Sequence, residues 1–438
     1  MRGTRRSQIF IDSATKFDGN TAEDSGGAVL IMADGDASAT ISGNAEFTSN
    51  ASGSSGGAVN VRSNQGDVDV SVSAADFTDN QGLWGGAVYT YGYDSSLTAI
   101  SSSTFTRNVV LDPQGGQVDG GAIFTDSVVS ASVTIGPDTH FTDNDASGRG
   151  GAIHAGWLGG SIGTVTIDEY VSFDGNTAGD KGGAVYARSG VDLLGGSAYP
   201  TSFSHNQAAG HGGAIATAGS VQVGQGTELW YNQSGARGGA IYAEGSAHIQ
   251  GTASHPVSFA INSAQSGGAL HTRSGGAIIE SALFQDNDAN GGDGGAIYNY
   301  FAGPLAVSTT TFEGNTATGD GGAIWSGGET VIRGSSVIDN VAGNRGGGVL
   351  AAWGYDVHLT NTFVGGNSAR RGGAMWMAPY TNGPGDVTLE FTSVYDDTIV
   401  TGGVDPTPVL PAPTAIYAQD VISTMSVVGS RTSSDTVT

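Results

Sequence analysis

An all-β fold, a parallel β-helix of about thirteen three-strand coils, right-handed by the crossover rule, is predicted by three observations. Gly-Gly followed by a small and then an aliphatic residue recurs thirteen times, at spacings of 25 to 35 residues. A Phe-x-x-Asn stands upstream of nearly every one. Between the motifs the apolar residues alternate, as in "GTVTIDEYVSF" (163–173) and "DVDVSVSA" (67–74), with the period of a strand rather than a helix. A period in this range means stacked units that bury their faces on their neighbours, and three short strands with turns fill about 25–30 residues.

The first glycines are Gly26, Gly56, Gly85, Gly120, Gly150, Gly182, Gly212, Gly238, Gly267, Gly294, Gly321, Gly346 and Gly372. The residue after each pair is Ala in every unit but one, where Gly348 stands, so space there is tight. The pair itself is expected to supply a corner with positive φ or a close backbone approach. The aliphatic that follows (Val29, Ile123, Ile215, Ile324) is expected to point inward, as is the Phe of the upstream motif. That position is Phe in eleven units, ending with Phe363, and Leu229 and Val337 in the other two. Every unit keeps the Asn: Asn20, Asn50, Asn80, Asn108, Asn144, Asn176, Asn206, Asn232, Asn262, Asn287, Asn315, Asn340 and Asn367. These are read as a structural ladder, each ending a strand in left-handed backbone with its amide bonded to the coils above and below. On that reading Asn176→Ala costs about 1–3 kcal/mol. The β-helix is placed at 8–377, with a degraded terminal coil or cap at 378–404, a Pro-rich linker at 405–413, and the start of another module or a tail at 414–438.

Composition narrows function. The 438 residues include 74 Gly, without the every-third spacing of collagen, and no Cys, so disulfides and thiolate metal sites are excluded. Forty-one acidic against 16 basic residues give a net charge of -25, which argues against nucleic acid and anionic lipid as partners. The eight His form no HExxH or close pair, and there is no P-loop or G-x-S-x-G elbow. No cofactor and no metal is expected.

"FxxN" followed by "GGA(I/V/L)" resembles the repeats of the chlamydial polymorphic membrane proteins, and related arrays in bacterial right-handed parallel β-helix proteins of the cell surface. The likeness covers about 8–377. It implies an extracellular or outer-membrane location and an adhesin-like, non-enzymatic passenger. The implied partner is a polysaccharide or a host- or neighbour-cell surface protein. The family's C-terminal β-barrel and signal peptide are not found in this sequence, so the chain is expected to be a piece of a longer protein, touching membrane only through an anchor outside it.

The same fold serves polysaccharide lyases and glycoside hydrolases, so a carbohydrate-active enzyme is the alternative. Its site would need residues that occur once. Asp67 and Asp69 share one strand face and could form an acid/base pair or a calcium site; a solvated face is the plainer reading. Asp168/Glu169 and Asp396/Asp397 are adjacent, so on strands their members would diverge.

Two columns vary more usefully. The residue after the inward aliphatic should face outward, and there stand Tyr89, Phe124, His154, Tyr186, Tyr242, His271, Tyr298, Trp325 and Trp376. Stacked rings at strand spacing make either a stabilising ladder or a flat ligand-binding platform. Immediately before Gly-Gly, Arg149, Lys181, His211 and Arg237 form a basic stripe in four consecutive units. The insertion "VVLDPQGGQVDG" (109–120) and the loop "AGWLGGSIG" (155–163), which carries Trp157, are further places where binding could be grafted.

Overall fold

The computed structural model describes residues 6–110, 116–157, 162–301, 303–378, 386–390, 392–395 and 398–399, with three further strands at 416–418, 425–428 and 431–432. The chain divides into two compact units, 1–228 and 229–438. Each is a right-handed parallel β-helix, and no described residue is helical. Within each unit the Gly-Gly corners each open a strand of the same sheet, as the motif spacing requires.

One coil of the first unit shows how sequence becomes structure. It runs Ile162–Ile167, Val171–Asp174, Thr177–Ala178 and Val185–Ala187, one strand in each of four parallel sheets. The third of these, lying between the Asn and the Gly-Gly, is a strand beyond the three expected. Two residues are too few to show a period, so alternation could not reveal it. In register, Val165 lies between Val133 and Val191, Phe173 between Phe141 and Phe203, and Val185 between Ile153 and Ile215. All these side chains are buried, and they fill the inside of the coil.

The Phe column stacks face to face. In the first unit Phe17, Phe47, Phe77, Phe105, Phe141, Phe173 and Phe203 have centroids 4.6–4.9 Å apart, the spacing of the strands that carry them. In the second, Phe259, Phe284 and Phe312 do the same at 4.6 and 5.0 Å. Phe363 breaks the expectation: it is exposed, and the buried partner of Val337 is Val364. The inward residue therefore stands three before Asn367, so the spacing to the Asn is kept while the Phe is not.

Successive Asn side chains are hydrogen-bonded to one another, in a geometry that differs from the expected one. Each Asn side chain points inward and is buried from Asn50 onward, and its Oδ1 accepts both the backbone N–H and the Nδ2 of the Asn one coil earlier. Its own Nδ2 donates to the carbonyl of the residue in the Phe column one coil back, as Asn144 does to Phe105 O at 2.9 Å. The left-handed residue is its predecessor. Gly19, Ser49, Asp79, Arg107, Asp143, Gly175 and His205 in the first unit, and Tyr231, Ile261, Asp286, Gly314, Asp339 and Gly366 in the second, all have φ between 50° and 68°. Freed from the turn, the Asn can serve the interior.

The two corner glycines divide the two roles expected of them. Gly182 has φ +67, whereas Gly183 faces the next coil so closely that a Cβ would lie 2.0 Å from Gly213 O. The first glycine is needed for its dihedral, the second for its missing side chain.

The second unit repeats the plan, with Ala277–Glu280, Ala282–Gln285, Asp288–Ala289 and Ile297–Asn299 as one coil. Past Met377, Val387–Glu390 and Ser393–Tyr395 continue the ladders, and so do Ile416–Ala418, Met425–Val428 and Arg431–Thr432 on the far side of the Pro-rich segment. That segment and Asp396/Asp397 lie outside the described residues.

Ile261 is the outlier of the left-handed column, a β-branched residue at φ 56°. It is exposed, so packing does not compensate its backbone strain. Ile261→Asn is expected to stabilise by about 1 kcal/mol, since Asn visits this region at little cost; urea unfolding with an unchanged m-value checks it.

Candidate binding face

The fourth sheet carries the aromatic column. Its first strand, Val29–Ala33, alternates buried and exposed, with Leu30 and Met32 outward. The column after the inward aliphatic therefore leaves the core side, as the period demands. Solvent does not reach it as expected. Tyr89, Phe124, His154, Tyr186, Tyr242, His271, Trp325 and Trp376 are 0–7% exposed, and Tyr298 is half-buried. Alternation decides which face a side chain takes; it cannot say whether something folds over that face. Here the column before Gly-Gly and the turns that leave the sheet both do.

In the first unit Tyr89 stacks on Phe124 at 5.5 Å and 5°, and His154 sits tilted between Phe124 and Tyr186 at 4.7 and 4.8 Å. Arg62 lies over Tyr89 and Arg149 over Tyr186, at 5.0 and 5.2 Å from the ring centroids. In the second, Tyr242, His271, Tyr298 and Trp325 form one stack at 5.3, 4.9 and 4.3 Å. Trp376 lies beneath Arg345 and Arg371. Burial pushes the Tyr242 and Tyr298 hydroxyls above the ordinary tyrosine range. The column is a ladder, roofed by cations at Tyr89, Tyr186 and Trp376.

Of the basic stripe, Arg149 is part of that roof. Arg149 Nε is also 3.0 Å from Asp180 Oδ2. The same column holds acids that sequence reasoning passed over: Asp119, Asp293 and Asp320, each immediately before Gly-Gly, a signal visible in the motif register. Asp119 Oδ2 lies 3.2 Å from His154 Nδ1, Asp119 Oδ1 accepts Arg149 N–H at 2.6 Å, and His154 Nε2 meets Gly156 O at 2.8 Å. Burial alone would raise the Asp119 pKa, but His154 and the Arg149 amide outweigh it and hold the carboxyl below its usual range. In the second unit Asp320 N–H donates to Asp293 Oδ1 at 2.8 Å. Burial raises both carboxyls; for Asp320 the neighbouring Asp293 charge adds to it, and Arg345 opposes.

Opposite responses to pH follow. A depressed carboxylate contributes stability above its unfolded pKa and loses it as pH falls through the folded value, so Asp119→Asn is expected to destabilise at pH 7 by about 1–3 kcal/mol. A raised carboxylate costs stability at neutral pH and recovers it as pH falls through the folded value. Asp320→Asn should therefore raise the melting temperature at pH 7, and this gain should vanish near the unfolded value of about 4. Melting curves of both variants from pH 7 to pH 3 check the signs.

The remaining expected sites stay apart. Asp69 faces outward, and Asp67 Oδ1 accepts from Ser95 N–H and Oγ, as in a solvated turn. Asp168 and Glu169 lie in a turn, where Glu169 N–H donates to Asp168 Oδ1. Among the described residues no three or more His, Asp or Glu gather as metal ligands, and no helix is long and apolar enough to cross a membrane. Of the insertion, Val110 and Val118 pack with Ala146 against Leu83 and Trp84; 111–115 lie outside the described residues. Trp157 packs edge-on against Trp84 at 4.8 Å, and its backbone N–H donates to Asp126 Oδ1. Tyr300, Phe301 and Trp353, in the turns that leave the fourth sheet, sit three or four residues past the aliphatic and outside any register, so the motif does not point to them.

Fold and face together define a repeat-built parallel β-helix whose outer sheet surface is roofed. Three stretches, 170–188, 200–218 and 309–327, match the family model described as the Chlamydia polymorphic membrane protein repeat. Each runs from the strand of the Phe column through the Gly-Gly corner into the fourth sheet. No curated protein and no solved structure matches the chain.

Proposed function

We propose that this chain is the β-helix of a cell-surface or secreted, adhesin-like protein, a non-enzymatic passenger that displays a long lateral face to a polysaccharide or to a protein of another cell surface. The observation that carries the reading is the match of three coils to the polymorphic membrane protein repeat. The interior agrees with it: inward columns are held nearly constant, whereas outward turns vary from coil to coil, as suits display. The test is adhesion. Purified protein immobilised on beads should retain cells or polysaccharide at physiological salt, and turn substitutions should reduce retention while ladder substitutions act only through folding. Beads that retain neither would sink the proposal.

A carbohydrate-active enzyme remains the second reading, favoured by Asp293 and Asp320. Two linked carboxyls with raised pKa beside aromatic rings are the kind of pair that protonates a leaving group. Release of new reducing ends or unsaturated products from a polysaccharide panel, abolished in Asp320→Asn, would support it. No release by the parent protein would end it.

A further inference from the structure

In the second unit, three consecutive coils leave the fourth sheet through the turns that follow Asn299, Ser326 and Ala351. A buried polar network fixes them. Asn299 Nδ2 donates to Gly303 O at 2.6 Å and to Ser326 Oγ at 3.3 Å, and Asn299 Oδ1 accepts Thr272 Oγ1 at 2.8 Å. Backbone bonds from Tyr300 N–H to Thr272 O, Gly327 N–H to Asn299 O and Ala352 N–H to Ser326 O bind each turn to its neighbour. Such a floor holds what stands on it in one geometry.

What stands on it is aromatic and strained. Phe301 is 53% exposed at φ 51°, and Trp353 lies at φ 59°. Bulky side chains rarely adopt left-handed backbone, so the turns rather than these residues set the conformation. The middle turn is bare, Gly327-Gly328. A Cβ on Gly327 would lie 2.5 Å from Trp353 Cζ3, so the missing side chain lets the indole lie across a whole coil. Trp353 thereby meets Tyr300, two coils away, at 5.5 Å, and Phe301 at 6.5 Å and 37°. Trp325 backs it edge-on at 5.4 Å. The ordinary ladder pairs rings on adjacent coils; this cluster joins alternate ones.

We propose that Tyr300, Phe301 and Trp353 form a stacking site for a neutral glycan. Rings held at fixed tilt match the flat C–H faces of sugars. The turns carry Glu329 and Asp356 and neither Lys nor Arg, so they offer acceptors to hydroxyl groups and repel sulfated or uronic chains. Glu329 is largely exposed, with Oε1 4.0 Å from His358 Nε2. The site names the ligand class of the lateral face proposed above and rests on that reading.

The experiment titrates the full chain with neutral cello-, manno- and chito-oligosaccharides, with heparin and with oligolysine, and follows tryptophan fluorescence. At least one neutral oligosaccharide should bind. Phe301→Gly and Trp353→Ala should weaken it tenfold or more, with Phe363→Ser, another exposed Phe, as the unaffected control. Glycine adopts φ 51° freely, so Phe301→Gly should lose binding while its melting temperature holds or rises, the reverse of what a structural role gives. No neutral oligosaccharide binding at millimolar concentration overturns the site, as does binding unchanged in both variants, or binding of oligolysine in its place. Bead adhesion measured in parallel separates the two ideas: adhesion kept without oligosaccharide binding refutes the site alone, and oligosaccharide binding without adhesion refutes the adhesin reading alone.

Discussion

Asn176→Ala is expected to destabilise the first unit by about 3–5 kcal/mol, at ~1–3 for each buried polar group left unpaired. Asn176 is 0% exposed. Its Oδ1 accepts Asn144 N–H at 3.1 Å and Asn144 Nδ2 at 2.9 Å, while its Nδ2 donates to Phe141 O at 3.0 Å and Asn206 Oδ1 at 2.9 Å. Truncation leaves a backbone N–H, one amide hydrogen and one carbonyl dry and unpaired, in addition to a break in the chain of amides. The expected loss exceeds the 1–3 kcal/mol read from sequence because the amide ties two neighbouring Asn residues and a carbonyl of the Phe column together. Asn20 sets the scale from below: it is exposed and only donates, to Asn50 Oδ1, so Asn20→Ala should cost no more than about 1 kcal/mol. Denaturant midpoints for the two variants decide the matter, and equal shifts would refute the ladder.

The coil was legible because a solenoid writes each structural need thirteen times. The inward aliphatic, the Phe, the Asn and the glycine pair all emerged from register alone. What stayed hidden were features with no period of their own. Thr177–Ala178 is a strand too short to alternate. The left-handed residue before the Asn varies freely among Gly, Ser, Asp, Arg, His, Tyr and Ile, because the dihedral is imposed by the ladder on both sides rather than chosen by the residue. Phe363 misled because residue type was trusted over spacing.

The face was half legible. Period two gave the direction of Tyr242 or Trp325 correctly, but exposure depends on residues distant in register. Arg149 covers Tyr186 from the column before the corner, five residues upstream in a neighbouring coil. Asp119 meets His154 of the neighbouring coil in the same way. Turn residues such as Phe301 and Trp353 gain meaning only when Gly327 is seen to lie between them, a fact of three dimensions.

The triple variant Tyr242→Ser, Tyr298→Ser, Trp325→Ser separates ladder from platform, and burial of the column sets the expected outcome. Tyr242 is 2% and Trp325 7% exposed, with His271 held between Tyr242 and Tyr298 and Tyr298 stacked on Trp325 at 4.3 Å. Removing a large packed ring costs about 3–5 kcal/mol, and Tyr298, half-buried, falls at or below the lower end. The sum is on the order of 7–13 kcal/mol, comparable with the whole stability of an ordinary domain. The loss should fall on the second unit, since all three rings and the hydrophobic cluster of Trp325, Leu350, Ala352 and Trp376 lie within 229–438. Hydrogen exchange should show protection lost across those coils, with the first unit's amides still protected. A triple variant that melted within a few degrees of the parent would mean that the roof of arginines and turns, not the rings, carries the outer face. Phe301→Gly provides the contrast within the same unit: stability kept or raised there, and lost here, would mark the turn cluster as built for a ligand and the column beneath it as built for the fold.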